Sequence, residues 1–263
     1  MTRRPLDAEL VRRGLASSRA EAQEAVLAGL VTVRGAPAWK PATMVAADEP
    51  VGLAAPARRF VSRGGEKLAA ALERFDVDPA GRNCLDAGAS TGGFTHRLLR
   101  GGAARVATVD VGYGQLAWQL RMDPRVVVLE RTNVRNLGRG SLPFDPDLVV
   151  ADLSFISLRL VANALIEVAT ADADLVMLVK PQFEARAADV GSGVVVRDPD
   201  VWRRALDGVV ERFADAGAPT LGVMASPLPG PAGNVEFFVH ARKGGAVGHV
   251  DPSPAIEEGK RLS

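Results

Sequence analysis

The chain has 263 residues, of which 47% are hydrophobic and 24% charged, with a formal net charge of +1 at pH 7. These values exclude wholesale disorder and fibrous repeats. Because the chain has one cysteine, Cys84, and three histidines, we expect no internal disulfide and no metal site. We expect a cytoplasmic protein with no membrane contact, since we find neither a secretory signal nor an apolar run of about eighteen residues.

Residues 1–58 have the pattern of a small α+β domain. The apolar spacing of residues 6–11 predicts a short amphipathic helix. Ser18 and Glu21 then form a capping box, which predicts the start of a second helix. Residues 30–33 alternate like a strand and lead into a turn. Two basic helices and a small sheet are consistent with a nucleic-acid-binding module.

Basic charge is distributed unevenly along the chain. Residues 1–67 contain eleven Lys or Arg and seven Asp or Glu, so an acidic polymer would bind at this end. An accessory domain with a solvated arginine-rich face is the open alternative. Only five of the 32 basic residues are lysines. Since lysine, unlike arginine, can lose its proton in a protein, each lysine is a candidate for chemistry.

A linker at 59–63 is expected to lead into a doubly wound α/β domain at 64–242. Apolar β-branched runs alternate there with helical patterns, which is typical of a parallel sheet covered by helices on both faces. The predicted strands are 84–86, 106–110, 126–129, 148–152, 175–180, 221–225 and 235–239. The sequence therefore predicts a seven-stranded Rossmann-like domain. A tail at 243–263, rich in Gly and Pro near its start, is expected to be loosely held and flexible.

A glycine-rich turn follows the first of these strands, at the edge where open parallel sheets bind ligands. Asp110 ends the second strand and could accept hydrogen bonds from ribose hydroxyls. The glycine spacing departs from the dinucleotide fingerprint, and the carboxylate of Asp86 suits an ammonium group better than a pyrophosphate, so S-adenosylmethionine fits better than NAD. A tight packing turn is the alternative. The candidate cofactor-binding residues are Asp86, Gly88, Ala89, Ser90, Thr91, Gly92, Gly93, Phe94, Asp110 and Asp152.

Four charged residues are predicted near the same edge: Lys67, Asp152, Lys180 and Glu236. Two structural ion pairs, Lys67 with Glu236 and Lys180 with Asp152, are one explanation. Catalysis on a ribose hydroxyl is the other, because a nearby Lys67 would favour the neutral amine of Lys180, which can accept a proton. Cytosine-carbon methylation would need a cysteine at a strand end, and amino-group methylation commonly shows Asn-Pro-Pro-aromatic after the fourth strand. Neither occurs here, which favours hydroxyl methylation.

These motifs in order resemble the TlyA family of ribosomal RNA 2′-O-methyltransferases, within the larger FtsJ-like methyltransferase group. The resemblance spans residues 3–242. It is carried by VSRGGEKL at 61–68, LDAGASTGGF at 85–94, DVGYGQL at 110–116, DLSFIS at 152–157, VKPQFE at 179–184 and SPLPG at 226–230. It implies a catalytic tetrad of Lys67, Asp152, Lys180 and Glu236, with S-adenosylmethionine bound at 88–94 and Asp110.

The resemblance further implies that residues 1–58 bind RNA and that the partner is ribosomal RNA or a ribosomal subunit. We also expect a monomer. The implied RNA-facing residues are Arg3, Arg4, Arg12, Arg19 and Lys40. The implied substrate is a cytidine 2′-hydroxyl of 23S rRNA and, because the start resembles the longer form of the family, also of 16S rRNA. Loss of this modification is linked in the family to capreomycin resistance.

The implied interdomain linker departs from the family pattern. Relatives can carry Arg-x-Trp-Val, whereas this chain has Arg58, Arg59, Phe60 and Val61. The aromatic ring is therefore kept while the indole is lost. Two other functions are left to test: a ribosome-binding or assembly factor without turnover, and a nicotinamide-dependent oxidoreductase.

Overall fold

The structure, a computed structural model, describes residues 3–54, 59–185, 195–248 and 250–262. The chain divides into two compact units, Met1–Arg58 and Arg59–Ser263. Arg58, which we assigned to the linker, lies outside the described residues.

The smaller unit is an α+β domain, as predicted. Its elements are β1 (Arg3–Pro5), α1 (Leu6–Arg12), α2 (Arg19–Leu27), β2 (Val31–Val33), β3 (Ala36–Pro37), β4 (Met44–Ala46) and β5 (Val51–Leu53). Strand β1 pairs with β4, and β2 lies between β3 and β5. The amide of Glu21 donates to Ser18 Oγ, so the predicted cap begins α2. Leu6, Leu10 and Val26 are fully buried between the helices and strands.

The larger unit contains a seven-stranded sheet. Its strands are β6 (Asn83–Ala87), β7 (Arg105–Val109), β8 (Val126–Leu129), β9 (Leu148–Ala151), β10 (Asp174–Val179), β11 (Thr220–Ala225) and β12 (Phe237–Arg242). The order across the sheet is β11-β12-β10-β9-β6-β7-β8. Every strand is parallel to the rest except β12, which runs antiparallel to both of its neighbours. The predicted doubly wound sheet is confirmed, with the reversal in strand order beside β6.

Helices cover both faces of this sheet. They are α3 (Arg63–Arg74), α4 (Gly93–Arg100), α5 (Trp118–Arg121), α6 (Ala162–Glu167), α7 (Pro181–Glu184), α8 (Pro199–Asp215) and α9 (Ser253–Lys260). Successive strand residues point to opposite faces. Cys84 therefore packs in one core with Leu68 and Leu98 from α3 and α4, whereas Leu85 packs in the other with Leu165 from α6.

The C-terminal residues differ from the expected loose tail. Helix α9 buries Ala255 and Ile256 in the core beneath the sheet. The amide of Ala225, at the end of β11, also donates to the Glu258 carboxylate. The prediction for 243–263 is wrong in this part, because the Gly- and Pro-rich stretch ends before a short amphipathic helix that has a core to pack against.

A buried carboxylate connects three strands at the opposite, amino-terminal edge of the sheet. Asp174, at the start of β10, accepts hydrogen bonds from His240 Nε2 at 2.8 Å, Arg242 Nε at 2.9 Å and an Arg82 guanidinium nitrogen at 2.8 Å. Burial alone would raise the pKa of Asp174, but the hydrogen bonds from His240, Arg82 and Arg242 outweigh it and hold this pKa well below the ordinary value.

Replacing Asp174 with asparagine is expected to lower the free energy of unfolding at pH 7 by up to about 3 kcal/mol, since the partly exposed Arg82 and Arg242 lose the counter-charge that this buried carboxylate supplies. A carboxyl whose pKa is lowered by folding stabilises above its unfolded pKa of about 3.9, and this contribution is lost as the pH falls. In urea unfolding, the difference in unfolding free energy between wild type and Asp174→Asn should therefore be smaller at pH 3 than at pH 7. The half-exposed Asp147, also paired with Arg82, is the matched control, and its asparagine variant should lose about 1 kcal/mol or less.

Candidate active site

The turn after β6 brings the backbone of two strand ends into close contact. Gly88 has a φ of +86°, and a Cβ atom there would lie 2.4 Å from the carbonyl oxygen of Asp152. Ser90, two residues on, is also left-handed at a φ of 47°. Only glycine fits at position 88, because both the backbone conformation and the space exclude a side chain.

A cavity of about 500 Å³ opens at this edge of the sheet. This volume lies within the range of small-molecule sites. Four of the predicted cofactor-binding residues line it: Gly88, Ser90, Asp110 and Asp152. The tertiary structure thus brings together the ends of β6, β7 and β9 around one ligand-sized space.

The other predicted cofactor-binding residues do not line this cavity: Asp86, Ala89, Thr91, Gly92, Gly93 and Phe94. Gly92 and Gly93 instead permit close packing, since a Cβ atom on Gly92 would lie 2.3 Å from Leu120. The ring of Phe94 stacks in the core on Phe238, at 6.2 Å between centroids. The last residues of the motif therefore position α4 and do not face the cavity.

The Asp110 carboxylate organises the loops around the cavity. Its Oδ2 accepts a hydrogen bond from the Ser90 amide at 2.8 Å, and its Oδ1 accepts one from the Gly112 amide at 2.7 Å. Each carboxylate oxygen can accept a second hydrogen bond. Asp110 can therefore hold both loops in place and still accept hydrogen bonds from a ligand hydroxyl.

Asp86 lies beneath the same turn and is fully buried. Burial raises the pKa of Asp86 to about 7, although the amide and hydroxyl of Thr95 both donate to its Oδ2. Its other oxygen, Oδ1, has no hydrogen-bond partner among the described residues. An unpartnered buried carboxylate oxygen favours a cationic group nearby.

The four charged candidates form two ion pairs. Lys67 Nζ lies 2.5 Å from Glu236 Oε2, and both side chains are buried. Lys180 Nζ lies 2.6 Å from Asp152 Oδ1 and donates to Ser154 Oγ at 2.9 Å. These are the pairs that the structural explanation predicts, so pairing alone does not identify a catalytic role.

The order of the strands determines where these two ion pairs lie along the edge of the sheet. Strand β10 lies between β9 and β12, and Lys180 follows β10 while Asp152 follows β9 and Glu236 precedes β12. The three residues are therefore neighbours in a row along the carboxyl edge, with Asp152 at the cavity end. Lys67 reaches the other end of the row from α3 through its contact with Glu236.

Phe155 is a cavity residue that the sequence analysis did not assign. It lines the cavity, is 91% exposed and has a φ of +64°. A left-handed phenylalanine costs about 1–2 kcal/mol, and such strain concentrates at functional sites. The signal in the sequence is an aromatic residue three positions after a strand-end aspartate.

Glu184 holds the Phe155 loop in place. The buried carboxylate of Glu184 accepts hydrogen bonds from Ser157 Oγ at 2.5 Å and from the Leu158 amide at 2.6 Å. The ring of Phe155 also contacts Phe183, at 5.2 Å between centroids. The loop after β9 is thereby fastened to the segment that follows Lys180.

The five predicted RNA-facing residues of the smaller unit have different surroundings. Arg12 pairs with the buried Glu9, and Arg19 pairs with the buried Asp7. Arg4 and Lys40 are exposed and make no ion pair within the described residues. Arg3, beside Arg4 on β1, is exposed as well. Within the described residues, exposed positive charge without an ion-pair partner is therefore found at Arg4 and Lys40, whereas Arg3 is attracted to the Glu49 carboxylate.

The predicted linker residues 59–63 belong to the larger unit. Phe60 is buried there and meets the imidazole of His96 edge to face at 5.7 Å. The guanidinium of Arg59 lies over the same ring at 5.3 Å, and the Val61 amide donates to His96 Nδ1. The aromatic ring at this position thus anchors the start of the larger unit.

The described part of the chain contains neither a membrane-spanning helix nor a cluster of metal ligands. None of its helices combines the length and apolar character needed to cross a bilayer. Across the same residues, no cluster of three or more His, Cys, Asp or Glu side chains could hold a metal ion.

Comparison with protein families gives two matches. Residues 60–243 match the FtsJ-like methyltransferase family, and residues 4–51 match the S4 domain. These ranges correspond to the larger and the smaller unit.

Known proteins match over most of their length. The 16S/23S rRNA (cytidine-2′-O)-methyltransferase TlyA of Mycobacterium tuberculosis is 56% identical, over 90% of this chain and 89% of its own. The 23S rRNA (cytidine-2′-O)-methyltransferase TlyA of Campylobacter jejuni is 32% identical, over 69% of this chain and 70% of its own. A solved structure, described as a hemolysin from Streptococcus thermophilus, is 35% identical with a TM-score of 0.75, over 100% of this chain and 96% of that chain.

Proposed function

The chain belongs to the FtsJ-like methyltransferase family, and from this premise we propose that it transfers the methyl group of S-adenosylmethionine to a cytidine 2′-hydroxyl of ribosomal RNA. The target follows from the relatives named as rRNA (cytidine-2′-O)-methyltransferases. We propose 23S rRNA as a substrate, and 16S rRNA as a second one by similarity to the relative that modifies both. The proposed setting is the cytoplasm, with the protein acting as a monomer.

One observation carries the catalytic part of the proposal: the Lys180 amine is held 2.6 Å from Asp152, which lines the cavity next to Gly88. A ribose hydroxyl is a weak nucleophile and requires a base. The Lys180 amine contacts a residue of the cavity lining, and an amine in its neutral form can accept the hydroxyl proton. Asp152 and Ser154 orient the amine through their contacts with Nζ.

The second ion pair supports the first. Glu236 separates Lys67 from Lys180 along the strand edge and neutralises Lys67 inside the protein. We propose that Lys67 and Glu236 neutralise each other and so keep the electrostatic surroundings of Lys180 constant. Either charge alone would be strongly unfavourable in this buried position. All four residues of the predicted tetrad therefore have a role in the proposal.

The residues around the cavity fit the proposed methyl donor. When bound, S-adenosylmethionine supplies an electrophilic methyl group on a sulfonium. Asp110 has acceptor capacity for ribose hydroxyls beyond the two amides that it already binds. Gly88 leaves room for close backbone approach.

We propose that the target base stacks on the ring of Phe155. The exposed ring borders the cavity, and unpaired bases stack on such rings. The Phe155→Ala variant is expected to lower kcat/KM for rRNA about tenfold, because stacking of one base is worth about 1–3 kcal/mol. S-adenosylmethionine affinity should stay unchanged, and Phe155→Tyr should restore most of the activity. Equal kcat/KM in Phe155→Ala and wild type would contradict this assignment.

The S4 match supports assigning the RNA-binding part of the proposal to the smaller unit. Arg3, Arg4 and Lys40 provide its exposed charge, whereas the carboxylates of Glu9 and Asp7 neutralise Arg12 and Arg19. We therefore expect Arg3, Arg4 and Lys40 to contribute most of the phosphate affinity.

The test is to map ribose-methylated cytidines in rRNA from cells with and without this gene, and in cells that express Lys180→Met in its place. The proposal expects a methylated cytidine in 23S rRNA that depends on the gene and is absent in the variant. Methylation that persists in the variant would overturn the role of Lys180. A protein that binds ribosomes but changes no methylated position would instead be an assembly factor.

A further inference from the structure

Trp39 is exposed on the surface of the smaller unit. Its side chain is 62% exposed, which is unusual for so large an aromatic group in a small domain. A single exposed apolar side chain needs no explanation by itself. Its surroundings, however, give this indole a defined position and a charged neighbourhood.

Gly29 supports one part of the indole. This residue follows α2 with a φ of +72°, and a Cβ atom on it would lie 2.5 Å from Cζ3 and 2.6 Å from Cη2 of Trp39. The six-membered ring therefore rests against a backbone position that has no side chain. This contact fixes the ring while most of its area stays open to solvent.

The chain segment that follows this ring connects it to exposed basic residues. Lys40 is the next residue, and the carbonyls of Pro41 and Thr43 accept the amides of Asp7 and Leu6 at the start of α1. The same segment continues into β4, where Val45 pairs with Arg4 on β1. Trp39 and Lys40 therefore lie on the segment that pairs with the strand bearing Arg3 and Arg4.

We propose that Trp39 is a stacking platform for an unpaired RNA base, with Lys40 and Arg4 binding the adjacent phosphates. This inference rests on the proposed function, because it takes the RNA-binding role of the S4 unit as given. A base has the flat apolar face that the indole accepts, and the phosphates on either side have the charge that Lys40 and Arg4 complement. The smaller unit would then bind RNA at a loop or bulge and not along a perfect duplex.

The experiment uses the full-length protein labelled with 5-fluorotryptophan, which gives one fluorine signal for each of the three tryptophans. The Trp39→Phe variant assigns the relevant signal. The probes are an RNA hairpin with an unpaired loop and a blunt duplex with the same stem sequence. We expect the Trp39 signal to shift with the hairpin and to stay in place with the duplex.

Affinity measurements separate stacking from charge. Trp39→Ala should weaken hairpin binding about tenfold, with no change in the slope of log affinity against log salt concentration, because stacking releases no counterions. Lys40→Ala should reduce the magnitude of that slope by about one. Trp118→Ala is the matched control, since Trp118 is 72% exposed on the larger unit, and it should bind the hairpin as the wild type does.

A Trp39 signal that the hairpin does not move, or wild-type affinity in Trp39→Ala, would overturn the inference. A signal that moves equally with hairpin and duplex would also overturn it, since no unpaired base would then be needed. The proposed function is measured separately, by methylation of rRNA with the wild-type protein. If rRNA is methylated but the Trp39 signal does not shift with the hairpin, only the stacking proposal is wrong. If no rRNA is methylated, the proposed function is wrong whatever the Trp39 signal shows.

Discussion

Replacing Lys180 with methionine is expected to lower kcat for rRNA methylation by about 10²–10⁴-fold, because the hydroxyl then has no base to accept its proton. Methionine keeps much of the length of the side chain and removes the amine. Single-turnover methylation with a radiolabelled methyl donor measures the effect. Binding of S-adenosylmethionine and of rRNA should change little, since Lys180 is assigned to proton transfer.

Lys180→Arg distinguishes a base from a structural ion-pair partner. Arginine keeps the positive charge that Asp152 contacts but does not lose its proton in a protein. If Lys180 is the base, the arginine variant should be nearly as inactive as the methionine variant. If Lys180 only holds Asp152 in place, the arginine variant should keep most of its activity, and the catalytic assignment would be wrong. Lys260→Met, on α9, is the control for removing a lysine elsewhere.

Replacing Gly88 with alanine is expected to weaken S-adenosylmethionine binding by tenfold or more. The left-handed conformation alone costs an alanine about 1–2 kcal/mol, and the new Cβ atom would lie 2.4 Å from the Asp152 carbonyl oxygen. Relief of this clash must move Asp152 away from its position at the cavity and beside Lys180. Calorimetric titration with S-adenosylmethionine and methylation assays should therefore both report a loss.

Gly81→Ala is the matched control for this substitution. Gly81 has a φ of +72°, but a Cβ atom there would meet nothing within 4 Å. It reproduces the backbone strain without the clash, so it should lower stability by about 1–2 kcal/mol while leaving ligand affinity unchanged. Equal ligand affinity in Gly88→Ala and Gly81→Ala would show that the contact with Asp152 does not matter for binding.

Local patterns in the sequence determined much of the fold and part of the site. Apolar β-branched runs located the strands, and Ser18 with Glu21 located the start of α2, because these signals depend on neighbouring residues only. Gly88, Asp110, Asp152 and Lys180 were found as strand-end residues, since the carboxyl ends of parallel strands share an edge whatever their order.

The contacts among those residues depended on strand order, which no local pattern specifies. The position of β12 beside β10 places Glu236 next to Lys180. Lys67 pairs with Glu236 and neutralises its charge. Packing likewise moved Phe94 into the core, and the Glu184 contacts fastened the loop that presents Phe155 at the cavity. The buried pairing of Asp174 with two arginines and His240 joins residues 66 to 92 positions apart. Sequence periodicity reports which side chains are buried, but only the folded arrangement decides which distant groups meet there.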